Sequence, residues 1–220
     1  MTKGYFQGID VYGSVNSGIV ELYDGEEMVL DIGCGSGALG AVLKSINPRV
    51  TVYGVDVSRA AALEARDVLY RFDLLDLDSQ ELPHYDQRFD LIILADILEH
   101  LKRPDLLMLQ LHRLLTHNGS ILVSIPNVAH IRIRIMLLRG EFEYSDKGIL
   151  DRTHLRFFTK KTLLELVKLC EFNVVAERPN VYAPRILGHT PNLVSKLFIL
   201  VTRNFPNLFA LQFILKLKAK

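Results

Sequence analysis

The chain has 220 residues, of which 49% are hydrophobic and 23% charged, and its formal net charge is +1. This composition is typical of a globular protein, and the length suits one α/β domain better than two. A charge so close to zero provides no general attraction to nucleic acid, so a nucleic-acid partner is not expected.

The cysteines and the apolar runs give expectations about the compartment. Two cysteines are too few for a disulfide framework, and no metal-ligand spacing is present, so we expect no metal site. The N-terminus lacks a hydrophobic signal region. Lys196 and Arg203 interrupt the best apolar run before it reaches the ~18 residues that span a bilayer. We therefore expect a cytoplasmic protein.

Strand and helix signals alternate along the chain, which predicts a parallel sheet covered by helices. After an irregular or partly helical lead-in, residues 1–27, strands are expected at Met28–Ile32, 50–56, 68–72, 89–95, 119–125, 172–176 and 208–217. Helices are expected at 38–44, at 58–65 after Ser58 as N-cap, from 104 onward, and at 160–170 after Thr159 as N-cap. Asn118-Gly119 predicts a turn, and residues 181–205 predict an inserted loop with a short helix.

Three alternating glycines follow the first predicted strand and precede a helix. Gly33, Gly35 and Gly37 allow a sharp turn and a close approach to a ligand at positions where a Cβ would clash. The helix directs its free N–H groups and the positive end of its dipole at the same turn. The loop therefore predicts a cradle for a nucleotide-like ligand. With Ala38 the glycines also satisfy the dinucleotide fingerprint, and Asp56 lies where its ribose-binding acid is expected.

Asp31 distinguishes between the possible ligands. A carboxylate two positions before the first glycine would repel a pyrophosphate, but it suits the ammonium of a methionine moiety and the field of a sulfonium. Residues 29–37 resemble motif I of the class I S-adenosylmethionine-dependent methyltransferases. The resemblance implies a Rossmann-like, doubly wound, mostly parallel α/β sheet of seven strands with an antiparallel last strand. It also implies a single domain over residues 1–220.

The resemblance further implies how S-adenosylmethionine is held. Asp31 would face the methionyl amino group, the loop backbone would line methionine and ribose, and Asp56 would accept both ribose hydroxyls. The alternative for Asp56 is a helix N-cap or turn acid. An acid after the third strand would meet the adenine amino group, with Asp73 as first choice and Asp76 as second, unless these are solvated loop carboxylates. The expected cofactor-binding residues are Asp31, Gly33, Cys34, Gly35, Gly37, Asp56, Val57, Asp73, Leu74, Ala95 and Asp96.

A second motif follows the predicted central strand. Residues 94–101 resemble the post-strand motif of small-molecule methyltransferases of the ubiquinone-biosynthesis type, at a strand end where α/β sheets bind ligands. Asp96 or its backbone would border the cofactor, and His100 would act as a base. The alternative is that Glu99 and His100 only stabilise the start of the next helix.

A third motif, residues 150–159, contains the segment HLRFFT. It resembles methyltransferases that accompany glycosyltransferases in cell-surface glycan pathways, and residues 124–128 and 206–213 fit that subgroup too. Histidine has a pKa suited to removing a hydroxyl proton. His154 is therefore the leading candidate for a catalytic base, with Asp151 as its orienter or as a substrate ligand. The alternative is that both residues pin the following helix and that no discrete base exists.

Two basic stretches lie near these motifs. Residues 131–139 are amphipathic and belong to a segment, 127–158, interpreted as a substrate lid that binds phosphate-bearing glycans or as a membrane-surface patch. Residues 181–220 contain six lysines or arginines and no acid, which would suit a lipid-linked acceptor, and 180–205 would form a second substrate-side insertion. The plain alternative is a solvated face with a buried last strand.

The motifs together predict an S-adenosylmethionine-dependent methyltransferase that acts on a hydroxyl oxygen of a small molecule or glycan. An NAD(P)-dependent oxidoreductase is one alternative, but no Tyr-x-x-x-Lys pair supports it. A cofactor-binding protein without turnover is another. Methylation of a small amine stays open, although the Asn/Asp-Pro-Pro-aromatic loop typical of nucleobase N-methyltransferases is missing.

Overall fold

A seven-stranded sheet forms the centre of the molecule in the computed structural model, which describes residues 15–180 and 200–220. The strands are β1 (Met28–Ile32), β2 (Thr51–Asp56), β3 (Arg71–Leu74), β4 (Phe89–Ala95), β5 (Leu115–Pro126), β6 (Phe172–Asn180) and β7 (Gln212–Ala219). The helices are α1 (Ser17–Glu21), α2 (Ala38–Ile46), α3 (Arg59–Ala65), α4 (Pro104–Leu111), α5 (Ile131–Leu138), α6 (Lys160–Leu169) and α7 (Pro206–Phe209).

The strand order across the sheet is β3-β2-β1-β4-β5-β7-β6. The pairs from β3 to β5 are parallel, whereas β7 runs antiparallel to both of its neighbours, β5 and β6. The expected fold class, a mostly parallel Rossmann-like sheet with an antiparallel last strand, is confirmed.

The central strands are apolar on both faces because helices cover the sheet on both sides. On one face Leu30 and Ile92 belong to a buried cluster that includes residues of α4 and α6. On the other face Val29 and Leu91 belong to a cluster that includes residues of α2. The strands thus form a rigid support whose carboxyl ends present loops to solvent.

The strand order reverses direction at β1, which lies between β2 and β4. Because α2 and α4 leave this point toward opposite faces of the sheet, a crevice opens at the carboxyl ends of β1 and β4. Open α/β sheets bind their ligands at such a position. The loops that follow β1, β2 and β4 are therefore the ones to inspect for a site.

Two predicted helix starts are confirmed. The side chain of Ser58 accepts a hydrogen bond from the backbone N–H of Ala61, at 3.2 Å, and caps α3. Thr159 and Thr162 form a reciprocal capping box at the start of α6. Local side-chain chemistry determines both starts, which is why sequence alone locates them.

Three strands begin three or more residues away from the predicted start. β3 begins at Arg71 rather than at residue 68, since residues 66–70 form the turn that leaves α3. β5 begins at Leu115 and continues through residues 118–119, where a turn was expected, because its register against β4 shifts there. β7 begins at Gln212, later than predicted, since a proline at the first turn starts α7 just before it.

Some expectations fall outside the described residues, namely those for 1–14 and for 181–199. Of the short helix expected within 181–205, residues 200–204 are helical. Within the described ranges, no helix combines the length and the apolar character needed to cross a bilayer.

Candidate active site

The glycine loop after β1 is held in place by the end of β2. The backbone N–H groups of Gly33 and Cys34 both donate to the carbonyl oxygen of Val55, at 2.8 and 3.2 Å. The N–H of Gly35 donates to Oδ2 of Asp56 at 2.8 Å, and the N–H of Ser58 donates to Oδ1 at the same distance. Asp56 is thus a turn acid that joins the two loops.

The three loop glycines all adopt backbone conformations that other residues rarely take. Gly33, Gly35 and Gly37 have φ angles of 82°, 50° and 81°, in the left-handed region. A Cβ on Gly33 would lie 3.1 Å from the side chain of Ile97, so the loop packs closely against the segment that follows β4. The glycines therefore serve the loop's shape, as their spacing predicted.

Asp31 and Cys34 are buried beneath this loop. Asp31 is 2% exposed, and burial, with the nearby charge of Asp56, raises the pKa of its carboxyl group to about 7. Burial also raises the pKa of the Cys34 thiol, and the acids Asp31 and Asp56 raise it further. The thiol therefore stays protonated and is not a nucleophile. With this pKa the carboxyl group of Asp31 is only partly ionised near neutral pH, and a neighbouring cation would favour its ionised form.

The neighbours of Asp56 differ in their suitability for a ligand. Val57 is 67% exposed and Leu74 is 45% exposed, an unusual state for two apolar side chains at adjoining strand ends. Asp73 aligns with Val55, one position before Asp56, so its side chain points to the opposite face of the sheet. There its carboxylate accepts hydrogen bonds from Arg71 Nε at 2.9 Å and Tyr85 Oη at 3.0 Å.

Asp76, the second choice, lies beyond the end of β3. Its carboxylate accepts hydrogen bonds from the N–H of Asp78 at 3.0 Å and from the hydroxyl of Ser79 at 2.9 Å. These contacts shape an exposed loop at the same edge of the sheet as Asp56. The carboxylate of Asp73 is thus bound by Arg71 and Tyr85 on the opposite face of the sheet from Asp56. Asp76, in contrast, lies at the edge of the sheet where Asp56 and the glycine loop are.

At the end of β4, Ala95 is half-buried and Asp96 belongs to a polar network that the sequence did not predict. Asp96 has a φ of 54°, which is uncommon for a residue other than glycine. Its Oδ1 accepts from the Ser124 hydroxyl at 2.8 Å, and Gln212 Nε2 contacts both carboxylate oxygens at 3.0 Å. Oε1 of Gln212 in turn accepts from Asn16 and Asn180. The network joins β4, β5, β6, β7 and the start of α1.

A cavity of about 770 Å³ opens beside Asp96. Its lining comes from segments far apart in the chain, including Glu99, His100, Arg132, Tyr144, Asp151, His154 and Gln212. All three predicted catalytic residues, His100, Asp151 and His154, therefore line one cavity. α5, from the basic stretch, contributes Arg132 to its wall.

The two cavity histidines lie close together, with ring centroids 4.8 Å apart. Nδ1 of His154 lies 3.1 Å from the carbonyl oxygen of Ile149, an acceptor that requires a proton on Nδ1. The lone pair of a neutral His154 ring is therefore on Nε2. Burial lowers the pKa of His154, so the ring is neutral near physiological pH.

Asp151 is linked to His100 through the hydroxyl of Thr153, whereas its role as orienter of His154 or as a substrate ligand stays a prediction. The hydroxyl of Thr153 donates to Oδ1 of Asp151 at 2.6 Å, so that hydroxyl can only accept from Nδ1 of His100, 3.2 Å away. The same nitrogen lies 3.3 Å from the carbonyl oxygen of Thr153. A protonated Nδ1 satisfies both contacts and leaves the lone pair of His100 on Nε2 as well. The N-cap of the next helix is Thr159, and the alternative that Asp151 and His154 pin this helix stays a prediction.

Glu99 lines the cavity, although it was not among the candidate site residues predicted from the sequence. Its side chain is 2% exposed and its Oε1 lies 4.0 Å from Nε2 of His154. Neither carboxylate oxygen has a hydrogen-bond partner among the described residues. Burial, together with the nearby acids Asp96 and Asp151, raises the pKa of Glu99 to about 8. Glu99, His100 and His154 form a compact group at the cavity wall, and a role of the Glu99 side chain at the start of the next helix stays a prediction.

Known proteins share the sequence pattern of this chain. A family model described as a methyltransferase domain matches residues 19–177. Malonyl-[acyl-carrier protein] O-methyltransferase of Geobacter sulfurreducens is 28% identical over 162 residues, covering 69% of this chain and 60% of that protein. Ubiquinone biosynthesis O-methyltransferase of Glaesserella parasuis is 27% identical over 123 residues, covering 52% and 51%. The chain thus spans less than two thirds of either relative.

Solved structures share the fold. A SAM-dependent methyltransferase from Archaeoglobus fulgidus superposes with a TM-score of 0.62 at 19% identity, covering 92% of this chain and 90% of that one. The O-methyltransferase from a trans-AT PKS multienzyme of Brevibacillus brevis, in complex with S-adenosyl-L-homocysteine, gives a TM-score of 0.56 at 16% identity. That match covers 88% of this chain and 67% of the other.

Proposed function

The chain belongs to the methyltransferase-domain family, and from this premise we propose that it is an S-adenosylmethionine-dependent O-methyltransferase with a small-molecule acceptor. The observation that carries the proposal is the adjacency of two sites at one sheet edge. The glycine loop packs against Ile97, and the cavity with Glu99, His100 and His154 begins beside Asp96. A donor and an acceptor bound at these two places would be neighbours.

The residues of the glycine loop fit this cofactor. Asp31 is a buried acid whose ionisation a ligand cation would favour, and the methionyl ammonium is such a cation. Asp56 uses one lone pair of each carboxylate oxygen to hold the loops, and the remaining lone pairs can accept ribose hydroxyls. The exposed side chains of Val57 and Leu74 offer an apolar surface for adenine, and we assign the adenine amino group to Asp76 rather than Asp73.

S-adenosylmethionine, when bound, supplies a methyl group whose S–C bond breaks with its electron pair left on sulfur as an acceptor oxygen forms the new O–C bond. The acceptor must lose its hydroxyl proton during or after this step. Nε2 of His154 carries a lone pair and lies 4.0 Å from Oε1 of Glu99 at the cavity wall, so it receives the proton. Asp151 and Thr153 hold the ring of His100 in place beside the ring of His154.

The cavity sets the class of acceptor. Its volume of about 770 Å³ suits a small molecule. The exposed ring of Tyr144 offers a stacking surface, and Arg132 offers a positive charge for an anionic group. A sugar of a cell-surface glycan precursor, free or lipid-linked, is the second candidate, which Arg132 favours if that sugar carries phosphate.

Calorimetric titration tests the cofactor first. S-adenosylmethionine and S-adenosylhomocysteine should bind with micromolar affinity, whereas NAD and NADP should not bind. Methyl transfer from labelled cofactor to phenols, catechols, sugars and sugar phosphates then identifies the acceptor class. Failure of both adenosyl ligands to bind, or a preference for the nicotinamide ligands, would overturn the proposal.

A further inference from the structure

We propose that Gln212 is a positioning residue for methyl transfer, which acts through Asp96 to hold the turn between the glycine loop and the cavity. This β4 turn consists of residues 96–100, directly after β4. Gln212 is the first residue of β7, far away in the chain. The contact itself stands on geometry, whereas its effect on methyl transfer rests on the proposed function.

The sheet fixes the backbone from which the Gln212 side chain extends. Gln212 lies opposite Pro126 of β5 on one side and opposite Asn180 of β6 on the other. Its side chain reaches the wall of the cavity, where Asp96 and Asn180 are also found. Side chains that extend from paired strands are placed more precisely than side chains on loops.

The hydrogen bonds of the Gln212 amide determine its orientation. Nε2 lies 3.0 Å from both carboxylate oxygens of Asp96, which only accept hydrogen bonds when the acid is ionised. Oε1 accepts from the side-chain amides of Asn180, at 2.8 Å, and Asn16, at 3.2 Å. The Oδ1 atom of Asn16 is itself occupied by the N–H of Gly18. A flipped Gln212 amide would turn an oxygen toward the carboxylate, so the network permits one arrangement.

Asp96 adopts a backbone conformation that needs such support. Its φ of 54° is uncommon for a residue other than glycine, and such residues persist where surrounding contacts hold them, often at functional sites. The Ser124 hydroxyl donates to Oδ1 of Asp96 at 2.8 Å, and the N–H of Asp96 lies 3.1 Å from the same hydroxyl oxygen. Gln212 therefore completes a clamp on Asp96 that β5 begins.

The β4 turn borders both proposed binding places. A Cβ on Gly33 would lie 3.1 Å from the side chain of Ile97, so the turn packs against the glycine loop. Glu99 and His100, at the end of the turn, line the cavity. Methyl transfer requires an aligned donor and acceptor, and a displacement of about 1 Å can lower a rate by on the order of 10²-fold. A loosened turn would thus impair alignment before it impairs the binding of either ligand.

Three variants and a matched control test the clamp. Gln212→Ala removes both polar atoms, and Gln212→Glu places a second carboxylate against Asp96. Adding Asp96→Asn to Gln212→Glu pairs a donor with an acceptor again, and the new carboxylate can still accept from both asparagines. Gln110→Ala is the control, because Oε1 of Gln110 likewise accepts two hydrogen bonds, from Leu82 and Arg113, outside the cavity lining.

Hydrogen exchange of a peptide that covers residues 94–101 measures the turn without any acceptor. We expect about tenfold faster exchange in Gln212→Ala and Gln212→Glu, because the clamp on Asp96 is lost. Exchange should return toward the wild-type rate in the double variant and should not change in Gln110→Ala. Equal exchange in the wild type and both single Gln212 variants would overturn the inference.

Steady-state methyl transfer then separates positioning from a merely structural role. In Gln212→Glu we expect kcat to fall by about 10- to 100-fold, while KM for S-adenosylmethionine changes by less than about threefold. The double variant should recover part of this loss. A lower melting temperature with an unchanged kcat, as expected for Gln110→Ala, would contradict positioning, and so would a double variant no faster than Gln212→Glu.

Cofactor titration of the same samples distinguishes the two proposals. If S-adenosylmethionine binds the wild type and exchange of the β4 turn is the same in every variant, the clamp is refuted and the proposed function stands. If no adenosyl ligand binds and the Gln212 variants exchange faster, the proposed function fails. In that case Gln212 still holds the turn, but its assigned role in methyl transfer is refuted.

Discussion

The glycine loop and the histidine cavity lie at the same edge of the sheet, but they are held in place by different means. The loop is shaped by backbone torsions and by Asp56, and its parts lie within one short stretch from β1 to α3. The cavity group brings together Glu99 and His154 from distant segments, and main-chain carbonyls orient its histidines. One site is local in the chain and the other depends on the whole fold.

The two regions share one property, an acid buried without a full countercharge. Asp31 beneath the loop has a pKa of about 7, and Glu99 at the cavity has a pKa of about 8. In both cases burial is the largest cause. The buried acid at the loop thus favours a cation, for which we propose the cofactor ammonium.

The largest expected effect is that of a His154 variant, which tests whether the cavity and the loop act independently. His154→Ala should lower methyl transfer by about 10²–10⁴-fold, since it removes the nitrogen that takes the proton. The affinity for S-adenosylmethionine should stay unchanged, because the loop does not involve His154. Labelled-methyl transfer and calorimetry on one sample measure both, with His84→Ala as control. Parallel loss of both properties would mean that the two regions are not separable.

The converse variant acts on the loop. Asp56→Ala leaves the N–H groups of Gly35 and Ser58 without their acceptors and removes the ribose contacts. We expect the affinity for S-adenosylmethionine to fall by about 10²-fold, roughly 3 kcal/mol. Calorimetry with S-adenosylmethionine tests this, and an unaltered cofactor affinity would contradict the role of Asp56.

The pH dependence of cofactor affinity tests Asp31. With a pKa of about 7, its carboxyl group is protonated at lower pH, and binding of the cationic cofactor must then release the proton. Affinity should therefore fall by up to about tenfold for each pH unit below 7. Asp31→Asn should bind more weakly at pH 8 and lack this slope in calorimetric titrations from pH 5.5 to 8.5.

The same carboxyl group should affect stability in the absence of cofactor. Its pKa of about 7 in the folded protein is above the usual value of 3.8, so its stabilising contribution is complete below pH 3.8 and is lost as pH rises toward 7. At pH 8 Asp31→Asn should consequently unfold at a higher temperature than the wild type, by on the order of 1 kcal/mol or more in stability. Thermal denaturation of ligand-free protein measures the difference, which should shrink at pH 5.

The smallest effects distinguish Asp73 from Asp76. Asp76→Ala should weaken cofactor binding several-fold, about 1 kcal/mol, through loss of the adenine contact. Asp73→Ala should leave affinity unchanged but lower the free energy of unfolding by about 1 kcal/mol, since the Tyr85 hydroxyl and Arg71 lose their partner. Binding and denaturation curves for both variants decide between them, and the reverse pattern would restore Asp73 as the adenine contact.

The difference between the two regions also explains what sequence could predict. β1, the glycine loop and α2 follow from periodicity and from torsions that only glycine adopts easily, so their bounds agree closely with expectation. Thr159 was likewise predicted as a helix cap, because capping depends only on residues close to it in sequence. The start of β7 was missed because alternation of apolar residues continues through α7, and only pairing with β5 defines the strand.

The cavity could be predicted only in part. His154 and His100 were recognised as candidates from their motifs, but their proximity depends on the folding of residues 149–154 back onto the end of β4. Gln212 is the first residue of β7, and nothing near it in sequence indicates that it bonds to Asp96. Glu99 is adjacent to a predicted histidine, yet its burial without a partner is visible only in three dimensions.

The use of carbonyl oxygens to orient the histidines has an evolutionary consequence. Every residue type has a carbonyl, so the acceptor at Ile149 survives any substitution that preserves the backbone path. The amino acid at position 149 is therefore free to drift among descendants of this chain while the ring of His154 keeps its tautomer. Selection would act instead on the length and conformation of the segment, so insertions and deletions there should be rarer than replacements.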